Sequence, residues 1–357
     1  MTSIFDGFQL GNLKLPNRIV MSPMTRNRAT PDGLATPSMA TYYAQRATAG
    51  LIVTESTQPS LQGQSAPYTP GLHNDEQVAA WRTVTAAVHA NGGRIFAQLL
   101  HAGRVSHPEI AGKQPVAPSA IALNGDVFTG PKGPLPAPVP RALSAQEVRD
   151  QVQAFADAAR HAIDAGFDGV ELQGASGYLI QQFLSSNANQ RTDAYGGSVT
   201  GRIRFAVEVA EAVADAIGAD RVGIRVSPGG QVWEMVEEDV PQLYSALFDA
   251  LAPIGLAYIH AIAATEDDDV LLALRKAWPN TFIVNPGGAF GPRYTDRAWA
   301  DQWLAGGADL ISFGRAYIAN PDLVERLRTG APLNEANRDT WYGGGDTGYL
   351  DYVSHQH

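Results

Sequence analysis

The chain has 357 residues, no cysteine, and 26 Lys plus Arg against 36 Asp plus Glu, a net charge of −10. The missing cysteine excludes disulfides, thiolate metal centres and a Cys nucleophile, and scattered basic residues in an acidic chain argue against nucleic acid as a partner. Apolar residues make up 45% and charged residues 17%, which excludes a disordered chain and is enough for a large core.

The opening MTSIFDGFQL has neither a basic stretch nor a long apolar one, so it does not read as a signal peptide. No run of about 18 apolar residues occurs, so no membrane span is expected. The expectation is a cytoplasmic protein, monomer or homodimer. Phe5–Pro16 then alternates around Gly11-Asn12, which predicts a small hairpin closing the bottom of a barrel.

Eight short, β-rich apolar runs come next. They are Arg18–Met24, Leu51–Ser56, Arg94–Leu100, Asp168–Leu172, Val222–Ser227, Ala257–Ile262, Thr281–Asn285 and Asp309–Phe313. Amphipathic stretches separate or follow them, near 38–49, 75–91, 145–165, 201–217, 240–252, 268–277, 295–305 and 321–328. The runs are apolar at nearly every position, as in strands buried on both faces. Eight β-α alternations predict an α/β fold, a (β/α)8 TIM barrel forming one domain over 1–357. Gly50 and Gly166, each just before a strand, read as helix C-caps. A doubly wound sheet is disfavoured because the first strand runs into Pro23-Met24-Thr25-Arg26, with no Gly-rich turn.

Two long loops, His101–Leu143 and Gln173–Thr200, follow the third and fourth strands at the barrel's C-terminal face, where active sites of this fold lie. The strand ends offer Thr25, Ser56, Gln98, Gln173, Arg225 and His260 to that face. After strands seven and eight stand Pro286-Gly287-Gly288-Ala289 and Gly314-Arg315, a pattern that suits a phosphate. P-loop, HExxH and GxGxxG motifs are absent, and no His pair has metal-ligand spacing, so no metal is expected. Gly174-Ala175-Ser176-Gly177-Tyr178 falls one glycine short of a nucleophile elbow.

Several strings together carry a family resemblance: SPMTRNRA at 22–29, YYAQRATAGLIVTES at 42–56, QLLHAGRVSHP at 98–108 and QPVAPSAI at 114–121. GYLIQQFLSSNANQRTDAYGGS at 177–198, GIRVSP at 223–228, FGRAYIANPDL at 313–323 and WYGGGDTGYLDY at 341–352 complete the set. Over essentially its whole length the sequence is similar to the old yellow enzymes, FMN-dependent ene-reductases driven by NAD(P)H. The resemblance implies non-covalent FMN across the C-terminal face, contacted by Pro23, Met24, Thr25, Ser56, Gln98 and Arg225. It implies Gly288, Ala289, Gly314 and Arg315 at the phosphate and Tyr178 as proton donor to a small unsaturated substrate. It also implies a substrate pocket lined by Ala66, Tyr68, Leu100, Gln173, Ser176, Tyr178, Trp341 and Tyr342.

The sequence departs from that pattern at its centre. Gln173 and Ser176 stand where the family usually has a His and an Asn or second His that grip the activating oxygen. Both can still donate a hydrogen bond, but neither can become cationic. Leu100 replaces a common Trp, Ala66 a common aromatic, and Ser56 a common Ala. Three readings are open: an ene-reductase for a larger or differently anchored substrate, a redox-neutral isomerase or desaturase, or a weakly catalytic flavin-binding protein. Retention of Tyr178, Thr25 and Gln98 favours catalysis.

Overall fold

The computed structural model describes residues 2–263, 269–287 and 294–355. All eight predicted strands form: β1 (Ile19–Met21), β2 (Leu51–Thr57), β3 (Ile95–Leu99), β4 (Gly169–Gly174), β5 (Val222–Val226), β6 (Tyr258–Ile262), β7 (Thr281–Asn285) and β8 (Leu310–Phe313). Each pairs in parallel with the next, and β8 returns to β1, so the sheet closes into a barrel. β1 is shorter than predicted because Pro23 has no N–H to continue the ladder; the last amide to pair is that of Ser22, with the Phe313 carbonyl at 3.0 Å.

The outer ring comprises α1 (Pro37–Ala44), α2 (Asp75–Ala90), α3 (Ala145–Asp164), α4 (Val199–Ile217), α5 (Val240–Leu251), α6 (Asp269–Ala277), α7 (Arg297–Ala305) and α8 (Leu323–Thr329). α3 illustrates how the sequence makes them. Ser144 and Glu147 form a capping box at its start, and Val148, Phe155, Ala158, Ala159 and Ala162 form its buried stripe. Gly166 ends it at φ +89°, with the Gly166 amide bonded to the Ile163 carbonyl and the Phe167 amide to Ala162. That is the left-handed cap the sequence suggests.

Gly50 is a correction. α1 ends at Ala44 with Gln45 as its cap, five residues before Gly50. Gly50 instead starts the second strand, where a Cβ would stand 2.2 Å from the Asn17 carbonyl oxygen. Its need is close backbone approach, not a left-handed turn. The two long loops also carry their own structure. The first holds a hairpin of Asp126–Phe128 with Pro134–Pro136, the second a short helix, Leu179–Leu184.

The predicted hairpin forms from Phe8–Leu10 and Leu13–Leu15, and Leu10 and Leu15 pack with Val20, Leu51, Val53, Phe96, Tyr258, Ile283 and Leu310. This cluster fills the lower barrel. Small and large residues alternate within it: Gly169 lies opposite Phe96, and Gly223 opposite Tyr258. A Cβ on Gly223 would sit 2.2 Å from the Tyr258 ring. Replacing Gly223 by Ala should therefore displace that ring and cost about 1–3 kcal/mol, the usual range for overpacking. Urea denaturation checks this; an unchanged midpoint would show that the ring has room to move.

Candidate active site

Side chains that point into the barrel change character with height. Above the apolar lower layer lies a polar one, and the strand pairing decides its members. In β4 the inward residues are Gly169, Glu171 and Gln173, in β5 Gly223 and Arg225, and in β6 Tyr258 and His260. Glu171 is fully buried and central. It accepts hydrogen bonds from Gln98 Nε2 at 2.8 Å, Tyr258 hydroxyl at 3.1 Å and His260 Nδ1 at 2.8 Å. Burial works against its charge, but His260, Arg225 and Gln98 outweigh burial and hold its pKa below the usual carboxylate value.

The carboxylate's acceptor-only chemistry orients its neighbours. Gln98 must turn its NH₂ toward Glu171, which leaves the amide oxygen and a second N–H available. Burial pulls the His260 pKa down against the pull of Glu171, and Nδ1 is the ring nitrogen that faces the carboxylate. The His260 Nε2 lies 2.7 Å from Ser312 Oγ. Arg225 donates to Asn285 Oδ1 at 2.9 Å, and Asn285 donates to the Ser312 carbonyl at 3.0 Å. Sequence reading noted His260 as a strand end and missed Glu171, Asn285 and Ser312. The available signal was a charged residue at an inward position of an otherwise apolar strand.

β2 reaches this layer through a bulge. Val53 faces Phe96 and Ser56 faces Gln98, so Thr54 and Glu55 together oppose one residue of β3. Strict alternation from Val53 would point Glu55 inward. The extra residue turns Ser56 inward instead, where its Oγ lies 2.9 Å from Thr25 Oγ1. Glu55 is turned to the outside of the sheet, where Tyr43 hydroxyl at 3.3 Å and the Arg26 amide at 3.3 Å meet its two oxygens. Burial pushes its pKa up to about 7, against the Arg26 and Tyr43 contacts.

The mouth is built by loops. Gln173 is 5% exposed, Ser176 and Tyr178 are half-buried, and Ser176 has a left-handed φ of +57°. The Ser176 amide donates to Ser227 Oγ at 3.1 Å, and the Gly177 amide to Gln181 Oε1 at 2.7 Å. Leu100 is buried at the end of β3. The Ala66–Tyr68 loop is tied to the segment after β1, with Asn27 Nδ2 on the Pro67 carbonyl at 2.6 Å and the Ala29 amide on the Tyr68 carbonyl at 3.0 Å.

Trp341 and Tyr342 ride on a C-terminal strap. Arg26 donates to the Trp341 carbonyl at 2.8 Å and the Gly348 carbonyl at 2.9 Å, and Arg28 to the Gly345 carbonyl at 2.7 Å. Tyr42 and Tyr349 stack beneath them, with ring centroids 4.1 Å apart.

The fit to a flavin mononucleotide is tested by atoms the protein leaves unsatisfied. Ser22 Oγ, Gln173 Oε1 and Arg225 Nε are buried without a protein partner. All three stand at strand C-termini beside Thr25, Ser56 and Gln98, and a polar ring is the ligand that satisfies such a set. Toward β8, a Cβ on Gly314 would meet only ordinary contacts, the nearest being Ser22 Cβ at 3.7 Å. Arg315 Nη2 lies 3.5 Å from the Gly287 carbonyl. Gly288 and Ala289 lie outside the described residues. The residues present fit FMN.

The sequence model of the NADH:flavin oxidoreductase / NADH oxidase family matches residues 3–334. The chain belongs to that family. Among relatives of this flavin oxidoreductase, the chanoclavine-I aldehyde reductase of Penicillium roqueforti is 40% identical, across 99% of this chain and 96% of its own. The old yellow enzyme homologue of Zymomonas mobilis superposes with a TM-score of 0.94 at 40% identity, covering 99% of both chains. Morphinone reductase in complex with tetrahydroNAD superposes with a TM-score of 0.92 at 41% identity, covering 100% of this chain and 98% of the other. The protein is thus an FMN-dependent, NAD(P)H-driven oxidoreductase of the old yellow enzyme type. Among the described residues, no helix is long and apolar enough to cross a membrane.

Glu55 gives this flavin oxidoreductase a testable pH dependence. Its folded pKa of about 7 lies above the unfolded carboxyl value. The folded state therefore holds an extra proton between roughly pH 4.5 and 7. The stabilisation is full below that window and is lost as pH rises through it. Glu55→Gln keeps the shape and removes the titration. Relative to this variant, the parent should lose roughly 3 kcal/mol between pH 4.5 and 7.5. Urea denaturation at equal FMN occupancy reads the difference, and parallel profiles would show that Glu55 is ionised throughout.

Proposed function

We propose that the protein reduces the C=C bond of bulky α,β-unsaturated carbonyl compounds, with Tyr178 as proton donor and Gln173 and Ser176 gripping the activating oxygen. Tyr178 is the observation that carries this reading. It stands at the barrel mouth, and burial pushes its pKa up to about 12, with Tyr342 raising it further and Trp233 opposing. Such a phenol is fully protonated at neutral pH and is a proton source only for a strong base, such as a carbon beside a reduced alkene.

When bound, FMN would supply the two-electron chemistry that links NAD(P)H to reduction of the alkene. Thr25, Ser56, Gln98 and Arg225 would hold the ring, and the buried Arg225 cation would stabilise negative charge on it. Gly314 and Arg315 would hold the phosphate, together with Gly288 and Ala289 if the family resemblance carries over to them. Gln173 offers amide N–H donors and Ser176 a hydroxyl to the substrate oxygen. Tyr178 then gives its proton to the α-carbon. Leu100 and Ala66 leave apolar room that a small ring does not fill, so burial of apolar surface favours larger substrates.

Replacing Tyr178 by Phe removes only the hydroxyl. Reduction of the flavin by NAD(P)H should be unchanged, while re-oxidation by an enone slows by roughly 10²–10⁴, the range of positioned acid catalysis. Equal slowing of both half-reactions in stopped flow would make Tyr178 structural. The Gln173–Ser176 pair is tested by gain of function. The left-handed backbone at Ser176 is one that Asn adopts readily, so Gln173→His with Ser176→Asn fits without strain there. Cyclohexenone reduction should rise about tenfold or more as a stronger oxyanion donor is recovered. A parent already as fast on cyclohexenone would remove the case for a larger substrate.

A further inference from the structure

Trp233, in the loop after β5, has no part in the roles assigned above, yet the structure invests strain in its position. Trp233 is left-handed at φ 55° and ψ 39°, and the next residue, Glu234, is left-handed at φ 59°. Two consecutive non-glycine residues persist there only where the surroundings enforce it. Arg104 donates to the Trp233 carbonyl at 3.1 Å, Asn187 Nδ2 to the Glu234 carbonyl at 2.6 Å, and the Asn124 amide to Glu234 Oε2 at 3.0 Å.

The same lattice fixes the turn that carries Tyr178. The Arg104 amide donates to Gln182 Oε1 at 3.1 Å, and Gln182 Nε2 donates to the Gly177 carbonyl at 2.8 Å. Trp233 lies directly on that turn. A Cβ on Gly177 would stand 2.8 Å from Trp233 Cβ and 3.1 Å from its Cδ1, the indole carbon bonded to Nε1. Tyr178 and Trp233 also pack on one apolar cluster, Val105, Leu123 and Val127. The indole carbon next to Nε1 therefore lies against the Gly177–Tyr178 turn, and the Nε1–H is a donor only.

We propose that Trp233 is a positioning residue for proton delivery, its indole N–H donating to the Tyr178 oxygen and stabilising the phenolate left when the proton departs. This rests on Tyr178 as proton donor. In the step, the Tyr178 O–H bond breaks with its electron pair left on oxygen, a C–H bond forms at the substrate α-carbon, and water later re-protonates the phenolate. A hydrogen bond to the charged form lowers the barrier to giving up the proton. The Trp233 contact acts in that direction, against the burial and the neighbouring Tyr342 that raise the Tyr178 pKa. Thus the same loop strain that places the indole makes a half-buried phenol a usable acid.

Trp233→Phe removes the N–H and keeps an aromatic ring; Trp233→His restores an N–H on a smaller ring. With FMN bound, enone-driven re-oxidation should slow at least tenfold in Trp233→Phe, with NADPH-driven reduction unchanged and partial recovery in Trp233→His. In a Tyr178→Phe background, Trp233→Phe should add nothing. A readout free of turnover is 3,5-difluorotyrosine at position 178, whose ¹⁹F titration midpoint should rise by about one pH unit in Trp233→Phe. If Trp233→Phe binds FMN poorly, the same ¹⁹F titration of its FMN-free form, against the FMN-free parent, decides. An unmoved midpoint, or equal slowing in both backgrounds, overturns the role of Trp233. A Tyr178→Phe variant that re-oxidises at the parent rate overturns the proton-donor reading itself, whatever Trp233 does.

Discussion

A single ionised carboxylate inside the barrel organises the site. Glu171 is fully buried, and a buried charge without partners is strongly destabilising. Its three donors therefore have little freedom: Gln98, Tyr258 and His260 must each direct an N–H or O–H inward. The consequences spread from there. Gln98 is held with its oxygen free, His260 is held with Nδ1 toward the carboxylate, and Ser312 is aligned behind it. Arg225 balances the charge, and its Nε has no protein partner. The glycines below belong to the same constraint, because Gly223 lets the Tyr258 ring lie where its hydroxyl reaches Glu171.

Over this rigid floor, the mouth is assembled from separate loops tied by side chains. Arg104, Gln181 and Gln182 join the loops after β3, β4 and β5. Arg26 and Arg28 bind the C-terminal strap through its carbonyls, so Trp341 and Tyr342 are placed by residues following β1. The β2 bulge is the third device, bringing Ser56 to Thr25 and hiding Glu55. Floor and mouth thus divide the labour: the strands set the electrostatics of the barrel interior, and the loops shape the mouth above it.

The departures from the family pattern fall in both parts, Ser56 beside Thr25 in the floor and Ser176 in the loop above. Gln98 and Arg225 belong to the floor, where Glu171 and strand pairing leave little tolerance. Gln173 and Ser176 face the mouth. Gln173 Oε1 has no protein partner, and Ser176 is tied through its backbone amide, so both side chains can change without unravelling the network.

The architecture was legible in the sequence because it rests on local signals. Strands buried on both faces must be apolar at nearly every position, and eight such runs, Ile19–Met21 through Leu310–Phe313, alternate with amphipathic helices. The Gly11-Asn12 hairpin and the Gly166 cap are local as well. The site's polar strand ends, Thr25, Gln98, Gln173 and Arg225, came from strand position, and family motifs added Tyr178. Tertiary structure alone decided the rest. Whether Glu55 or Ser56 points inward depends on one bulge, and whether Glu171 is solvated or central depends on closure of the barrel. Gly50 is required by Asn17, thirty-three residues away in sequence, and not by the helix before it. Trp233 lies against the Gly177 turn because distant side chains hold its backbone in a strained form. These are contacts between residues far apart in the chain, so no periodicity or short motif encodes them, and only the closed, packed barrel brings them together.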